Sequence, residues 1–371
     1  MKIIDSTLRE GEQCFGVYLT PDAKANILTR LAALGVDEVE LGIAGRDASV
    51  AGLVELARGL GGRGHGVRPE LSVWAACRED TILAGAALNT DWLHLGLPVS
   101  AAHMEKRLGL SPDALLAHLA RHVALACASG QARVSLGLED ASRADPEFLV
   151  RAALAGRDAG ASRVRLSDTV GLWHPLEVAE VVGRLKAAVP GVAVGVHCHN
   201  DFGLGTANAL AGLMAGAEYA DASVLGLGER AGLAALEELT AYLHFRLGLP
   251  YRVEVLPGLC RTVADAAKIE IPPRKPVAGS AQFSCETGLH VHGLTRDPSL
   301  FEPYDPAKLG LSRLVALGKK SGRAAVAAKM AEFGMDPAGR DLEGITRKVR
   351  AKSERLGRPL TDDEARDLLS R

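Results

Sequence analysis

Two histidines separated by one residue are the sharpest chemical signal in the sequence. His197 and His199 flank Cys198 at the end of a β-prone run, and alternate residues of a strand point to the same side. Both imidazoles can therefore face one cavity and bind one cation. Glu10, beside Arg9 near the first β-prone run, offers a carboxylate as third ligand. Such a set leaves coordination positions open for substrate or water, as a catalytic metal requires.

The same pattern leaves the identity of the metal and the role of Arg9 open. Two imidazoles and a carboxylate accommodate Mg2+, Mn2+, Co2+ or Zn2+, and a solvent-facing carboxylate is the alternative for Glu10. A guanidinium at this position can stabilise an oxyanion or hold a carboxylate. The alternative for Arg9 is a structural ion pair with Glu12 or Asp168.

Further polar residues follow other β-prone runs and are candidates for the same site. Glu139 could act as a base or orient another group, or it could form an unspecific salt bridge. Thr169 offers a hydroxyl for a carboxylate, and Gln13 is a further candidate for substrate binding. His290 lies far along the chain, in a loop region. It could serve as a general base near neutral pH if its segment folds over the site.

These side chains need a scaffold that brings distant segments together. Amphipathic helical stretches such as Pro21–Leu34 and Pro146–Ala159 alternate with β-prone runs, a pattern that predicts a (β/α)8 TIM barrel, an α/β fold. A doubly wound open sheet is the alternative, although no G-x-G-x-x-G turn follows the first run to support it. The runs predicted as strands are Lys2–Leu8, Glu38–Gly42, Leu71–Cys77, Trp92–Pro98, Val134–Asp140, Arg163–Thr169, Ala193–Asn200 and Ala222–Glu229.

The pattern changes after the eighth run. We predict a catalytic barrel over residues 1–250, a linker and lid over 251–320, and a helical, highly charged C-terminal subdomain over 321–371. In a barrel of this kind, functional residues lie at the carboxyl ends of the strands. Most of the candidate residues follow that rule.

Composition excludes several classes of partner. A net charge of −2 argues against a general nucleic-acid binder, and no apolar run reaches the roughly 18 residues of a membrane helix. The first residues lack the pattern of a signal peptide. The six cysteines form no C-x-x-C pair, which favours free thiols in a reducing compartment. We therefore predict a cytoplasmic protein that acts on a small molecule.

Several segments together resemble the isopropylmalate/homocitrate synthase group of metal-dependent barrels. The resemblance runs nearly end to end, and within the group it is nearest to homocitrate synthases of the nitrogen-fixation type, through the segment at 94–108. The family is one of amino-acid biosynthesis, and its members imply a homodimer. The other segments are Asp5-Ser-Thr-Leu-Arg-Glu-Gly-Glu-Gln13, Leu138-Glu-Asp-Ala-Ser-Arg143, Asp168-Thr-Val-Gly171, Val196-His-Cys-His-Asn-Asp201, Gly226-Leu-Gly-Glu-Arg-Ala-Gly232 and Leu317-Gly-Lys-Lys-Ser-Gly322.

The resemblance implies a Claisen-type condensation of acetyl-CoA with a 2-oxo acid, foremost 2-oxoglutarate, followed by thioester hydrolysis. It implies that Arg9 stabilises charge on the keto oxygen, that Thr169 holds the carboxylate, and that a divalent cation chelates the 2-oxo acid. His290 would remove the methyl proton of acetyl-CoA with help from Glu139. The metal ligands implied are Glu10, His197 and His199.

Alternatives remain for the substrate and the reaction. The same chemistry could act on another 2-oxo acid, as in Re-citrate, isopropylmalate or citramalate synthases, or on a phosphonate analogue. An aldolase or HMG-CoA-type lyase and a non-catalytic metal-binding barrel are the remaining possibilities. The departures from the family pattern affect the lid and the substrate pocket. They are Cys285 for His, His292 for Asp, Phe301 for Tyr, Lys320 for His, and Gly42-Ile-Ala-Gly-Arg-Asp47 for Gly-Ile-Pro-Ala-Met-Gly.

Overall fold

The computed structural model describes residues 1–60, 68–131 and 133–370. Arg371, the last residue of the predicted 321–371 segment, lies outside the described residues. Contacts within the chain divide it into two compact units, Met1–Ile271 and Pro272–Arg371. The predicted three-part division at residues 250 and 320 stays a prediction.

The first unit contains a closed barrel of parallel strands in sequence order, so the predicted TIM barrel is confirmed. Lys2–Asp5 of the first strand pairs with Tyr219–Ala222 of the last, which closes the sheet and excludes the open-sheet alternative. The strands, β1 to β8, are Lys2–Asp5, Glu38–Ile43, Glu70–Ala76, Trp92–Pro98, Val134–Glu139, Arg163–Asp168, Ala193–Cys198 and Tyr219–Ala222.

Helices surround the barrel, and several begin where the sequence signals a start. Thr20, Ser111 and Asp145 each accept a hydrogen bond from a backbone N–H three residues ahead, and a proline follows each of them. Such caps satisfy N–H groups that the first turn of a helix leaves unpaired. The helices of eight or more residues in this unit are Pro21–Leu34, Val50–Leu60, Glu79–Ala86, Pro112–Ala128, Pro146–Asp158, Pro175–Ala188, Gly205–Met214, Leu236–Leu247 and Leu256–Ala267.

The prediction for the eighth strand, Ala222–Glu229, is wrong except for its first residue. Beyond Ala222 the chain forms a short 3-10 turn and a loop, in which Leu225, Gly226 and Arg230 have φ values of +59°, +68° and +56°. These left-handed conformations are incompatible with a strand. The first predicted strand is also too long, because the backbone turns after Asp5.

Charged and aromatic side chains from the even-numbered strands form two layers of the barrel interior. In the first layer, the guanidinium of Arg163 bonds both carboxylate oxygens of Glu38, at 2.6 and 2.9 Å, and lies over two aromatic rings. Alternate strands contribute the side chains of each layer, as is usual in this fold. The first layer comprises Glu38, Trp92, Arg163 and Tyr219, and the second comprises Glu40, His94, Arg165 and Asp221, all of them buried.

The second unit is mainly helical. Two short parallel strands, Ser284–Cys285 and Leu314–Val315, accompany a core that includes Val326, Met330 and Val349. Among the described residues of both units, we find no helix that combines the length and the apolar character needed to cross a membrane. The longer helices of the second unit are Gly288–Arg296, Arg323–Glu332, Leu342–Leu356 and Asp362–Ser370.

Candidate metal centre and active site

The turn after β1 places Arg9 and Glu10 at the carboxyl end of the barrel. The carbonyl of Ser6 accepts hydrogen bonds from the backbone N–H groups of residues 9–11 at 2.8–3.1 Å. This tight turn buries both charged side chains, which are 8% and 4% exposed. Burying a charge is costly unless the charge is paired, so each of the two must have a partner.

The two histidines of the H-x-H motif lie beside this turn. His197 is the next-to-last residue of β7, and His199 follows the strand, where it pairs through an isolated bridge with Leu233. Both rings are buried, with centroids 5.2 Å apart. One potential ligand atom from each of Glu10, His197 and His199 lies within 4.8 Å of the other two. One cation can therefore contact all three.

The hydrogen bonds of the two imidazoles fit a metal centre. Nδ1 of His197 lies 2.7 Å from a carboxylate oxygen of Asp221, which orients the ring and leaves Nε2 available as a ligand. Within the described part of the chain, the buried Nδ1 of His199 has no hydrogen-bond partner. A buried polar nitrogen without a partner is destabilising, and a nearby cation would remove that cost.

The ionisation states of these groups also suit a divalent cation. Burial acts to raise the pKa of Glu10, but Arg9 and the two imidazoles outweigh burial and hold this pKa below its usual value. Burial lowers the pKa of His199 to about 4, and His197 acts in the same direction. At neutral pH the site therefore presents a carboxylate and a neutral imidazole, the forms that bind metals.

Arg9 belongs to this centre, and neither of its predicted alternative ion pairs is present. Besides contacting the adjacent Glu10, it donates from Nε to Glu40 at 2.5 Å. Glu12 instead pairs with a lysine of the first helix, at 2.7 Å. Asp168 accepts two backbone N–H groups of the following loop, at 3.0 and 2.9 Å. Arg9 thus lies beside the candidate metal ligands and contacts neither Glu12 nor Asp168.

A cavity of about 280 Å3 opens above the buried layers at the carboxyl ends of the strands. Small-molecule sites are commonly clefts of this kind, with a few convergent polar groups. In a TIM barrel, this is also the face that carries the active site. The cavity brings together seven of the eight predicted site residues, namely Arg9, Glu10, Gln13, Glu139, Thr169, His197 and His199.

The surroundings of Glu139 shift the pKa of its carboxyl group, whereas those of Thr169 provide a hydrogen bond to its hydroxyl group. Burial raises the pKa of Glu139, whereas Arg107, 3.8 Å away, acts to lower it, and burial dominates. The hydroxyl of Thr169 accepts a hydrogen bond from the backbone N–H of Asp140 at 2.8 Å. Its own proton remains available to a ligand. Both residues can therefore exchange or donate a proton in the cavity.

His290 is the predicted site residue that lies in the second unit. It is exposed, and its ring centroid lies 4.5 Å from that of Phe301. Within this unit, both residues and Cys285 line a separate cavity of about 210 Å3. Two of the departures from the family pattern thus line the same cavity as His290, and its role as a base stays a prediction.

Two family models match the chain. The model described as HMGL-like matches residues 1–261, and the model described as homocitrate synthase post-HMGL domain-like matches residues 277–356. The homocitrate synthase of Frankia alni is 40% identical over 339 residues, which cover 90% of this chain and 94% of that protein. The chain belongs to the HMGL-like family, and within it to the acyl-transferring synthases.

Other relatives share the fold and most of the chain. The putative (R)-citramalate synthase of Methanosphaerula palustris is 37% identical over 366 residues, covering 98% of this chain and 71% of that protein. The crystal structure of an HMG-CoA lyase from Bacillus subtilis has a TM-score of 0.62 at 19% identity, covering 73% of this chain and 95% of that chain. This last likeness shows the fold alone.

The glycine-rich segment 226–232 supports the metal centre of this HMGL-like chain. The N–H of Asn200, next to the second histidine, donates to the carbonyl of Gly232 at 2.9 Å. Gly232 has φ +80°, and a Cβ there would overlap the carbonyl of Gly226. A Cβ on Gly228 would lie 3.3 Å from Cγ of Glu10, tighter than most such contacts. The motif therefore needs glycines to pack against both sides of the centre.

Sequence reasoning missed the charged residues that lie beneath the centre. Arg165 bonds Glu40 at 3.2 Å and Asp221 at 2.8 Å, and Asp221 in turn contacts His197. The sequence pattern that indicates these residues is the alternation of like charges, Glu-Val-Glu at 38–40 and Arg-Val-Arg at 163–165. Charges at every second position of a strand face the same side of the sheet, and when that side is the barrel interior, opposite charges must pair.

Asp221→Asn should weaken binding of a divalent metal about 10- to 100-fold, the usual effect of losing such an orienting carboxylate. The carboxylate accepts from Nδ1 of His197 and also balances Arg165, and an amide does both less well. Titration with Mn2+ would measure the change. The matched control is Glu218→Gln, which should bind Mn2+ as the wild type does. Glu218 directly precedes the strand that contains Asp221, at the end of the strand away from the metal centre. Equal affinities of Asp221→Asn and the wild type would contradict this orienting role.

Proposed function

We propose that this acyltransferase is a homocitrate synthase-like enzyme that condenses acetyl-CoA with 2-oxoglutarate and then hydrolyses the thioester. The observation that carries the proposal is the buried cluster of Glu10, His197 and His199 on the wall of a small polar cavity. The Frankia alni relative and the post-HMGL domain match support this reaction.

We propose that the three clustered residues hold one divalent cation, Mg2+, Mn2+, Co2+ or Zn2+. When bound, such a cation supplies Lewis-acid polarisation of a keto group. The chain's own residues then orient the 2-oxo acid. The Arg9 guanidinium stabilises negative charge as it develops on the keto oxygen, and Thr169 and Gln13 donate hydrogen bonds to the carboxylate.

The carbon–carbon bond requires a base on the acetyl-CoA side. In this proposal His290 removes a proton from the methyl group, and the resulting enolate carbon attacks the keto carbon. The keto oxygen takes up the electron pair and is then protonated, with Glu139 as a helper in proton transfer. Water then cleaves the thioester, which releases the carboxylic acid and the CoA thiol.

His290→Ala should reduce kcat about 10²- to 10⁴-fold, the typical contribution of a general base. The KM for the 2-oxo acid should change little, because the imidazole acts on acetyl-CoA. Steady-state kinetics with both substrates would measure this, with the exposed neighbour His292→Ala as the control. A loss confined to 2-oxo acid affinity would make His290 a contact residue and would place the base elsewhere.

The reaction is tested by CoA-thiol release from acetyl-CoA with Mg2+ or Mn2+ against a panel of 2-oxo acids. The panel comprises 2-oxoglutarate, oxaloacetate, 2-oxoisovalerate and pyruvate. Preference for 2-oxoglutarate, with formation of homocitrate, is the expected result. Thiol release with none of the acids would overturn the proposal and favour the lyase alternative.

A citramalate synthase that uses pyruvate is the second candidate, favoured by the Methanosphaerula palustris relative. The same panel separates the two candidates, since pyruvate lacks a second carboxylate. The nitrogen-fixation type, the homodimer and the cytoplasmic location also remain part of this proposal, and they rest on the family resemblance and the composition.

A further inference from the structure

The cavity contains one arginine whose charge no neighbour balances. Arg9 and Arg165 share Glu40 and have further acidic partners, and Arg107 faces Glu139 at 3.8 Å. The guanidinium of Arg46, on the loop after β2, has no ion pair or hydrogen bond with any residue in the described part of the chain. Arg46 is exposed, and an arginine without a partner beside a cavity can bind an anion.

The acidic residues nearest to Arg46 in the chain are already engaged. Asp47 accepts from Nζ of Lys24 at 2.7 Å and from both the N–H and the hydroxyl of Ser49. Glu12, which lines the adjoining cavity with Arg46, also pairs with Lys24, at 2.7 Å. Both acids contact Lys24, and neither forms an ion pair with Arg46.

An apolar wall leads up to this arginine. Ile43 and Trp74 are register partners on β2 and β3, and both line the cavity that holds the metal cluster. Gly96 on β4 makes room for the indole, since a Cβ there would overlap it. Gly45, at φ +73°, then turns the chain and places Arg46 three residues beyond Ile43. Methylene groups of a ligand would pack on the wall, and a terminal anion would meet the guanidinium.

We propose that Arg46 binds the second carboxylate of a dicarboxylic 2-oxo acid and thereby sets the substrate class of the enzyme. The inference rests on the proposed condensation, which assigns the first carboxylate and the keto group to the metal side of the cavity. Arg46 stands where the family pattern has Met, so the site departs from that pattern by gaining a cation. Monocarboxylic acids such as pyruvate leave this cation without a partner.

The test compares Arg46→Met and Arg46→Lys with the wild type, using thiol release on 2-oxoglutarate, oxaloacetate, pyruvate and 2-oxoisovalerate. Arg46→Met should lower kcat/KM for 2-oxoglutarate on the order of 10- to 100-fold, because one charge-assisted hydrogen-bonded pair is lost. Most of this loss should appear in KM, since the contact is remote from the reacting carbon. Values for pyruvate should stay within about 3-fold, and Arg46→Lys should keep part of the preference.

Arg78→Met is the matched control, because Arg78 is exposed on the loop after β3 and pairs with Asp80. It should leave all four substrates unchanged. An equal loss on mono- and dicarboxylic acids, or no loss on either, would overturn the role of Arg46. A wild-type preference for pyruvate or 2-oxoisovalerate would overturn it too, while the condensation itself would stand. Thiol release with no 2-oxo acid would remove the proposed function, and this inference with it.

Discussion

The double variant Glu10→Ala/His199→Ala should lose metal binding and retain less than about one-thousandth of wild-type turnover. Two of the three clustered ligand groups disappear, and a single imidazole cannot hold a divalent cation at ordinary concentrations. Lewis-acid stabilisation contributes several kcal/mol to such reactions, and each 1.36 kcal/mol corresponds to about a tenfold change in rate. Calorimetric titration with Mn2+ and thiol release would measure the two losses.

The control for this variant is Glu55→Ala, which removes an exposed carboxylate from the helix Val50–Leu60. It should bind Mn2+ and turn over as the wild type does. Circular dichroism would establish that the double variant is folded. A folded double variant that keeps wild-type Mn2+ affinity or full turnover would remove the metal centre from the proposal.

Arg163→Met should lower the free energy of unfolding of the barrel by about 3–5 kcal/mol, the cost of breaking a buried pair. Arg163 and Glu38 are both 0% exposed, so the variant leaves a carboxylate in the interior without a partner. The guanidinium also lies 4.2 Å from the ring of Trp92 and 4.5 Å from that of Tyr219. A loss of this size is a large part of the 5–15 kcal/mol that typically stabilises a domain.

Urea unfolding followed by tryptophan fluorescence would measure this change, because Trp74, Trp92 and Trp173 all lie in the barrel unit. Glu38→Gln/Arg163→Met removes both charges and should recover part of the loss. Arg151→Met, which breaks an exposed pair with Asp113, should cost no more than about 1 kcal/mol. A loss below 1 kcal/mol for Arg163→Met would show that the buried pair contributes little.

The first prediction concerns the centre that the second layer supports, and the second prediction concerns the first layer. In the first layer, two aromatic rings lie against the guanidinium of Arg163, and this layer stabilises the folded barrel. The second layer, around Arg165, connects Glu40 with Asp221, and through these acids it contacts Arg9 and His197. Arg9 and His197, which we propose take part in the chemistry, are therefore positioned by charged residues that also belong to the barrel core.

Local sequence patterns were sufficient to predict most of the helices and strands. The prediction for the fourth strand, Trp92–Pro98, agrees with the structure at both ends, as does that for the helix Pro21–Leu34. Proline and threonine at the helix start and glycine at its end are local signals that act within a few residues. The prediction of the eighth strand failed because a β-prone run does not reveal the positive φ values that decide the conformation of this glycine-rich segment.

The sequence by itself determined the alternation that makes the barrel and the strand-end position of the H-x-H pair, because strand side chains alternate over adjacent residues. Only the tertiary structure decided which distant charges meet. Glu38 and Arg163 are 125 residues apart, as are Glu40 and Arg165, and they pair because the closed sheet puts β2 opposite β6. Closure likewise brings Glu10 of the β1 turn beside β7. Contacts of this kind depend on the geometry of the whole barrel, so no local pattern contains them.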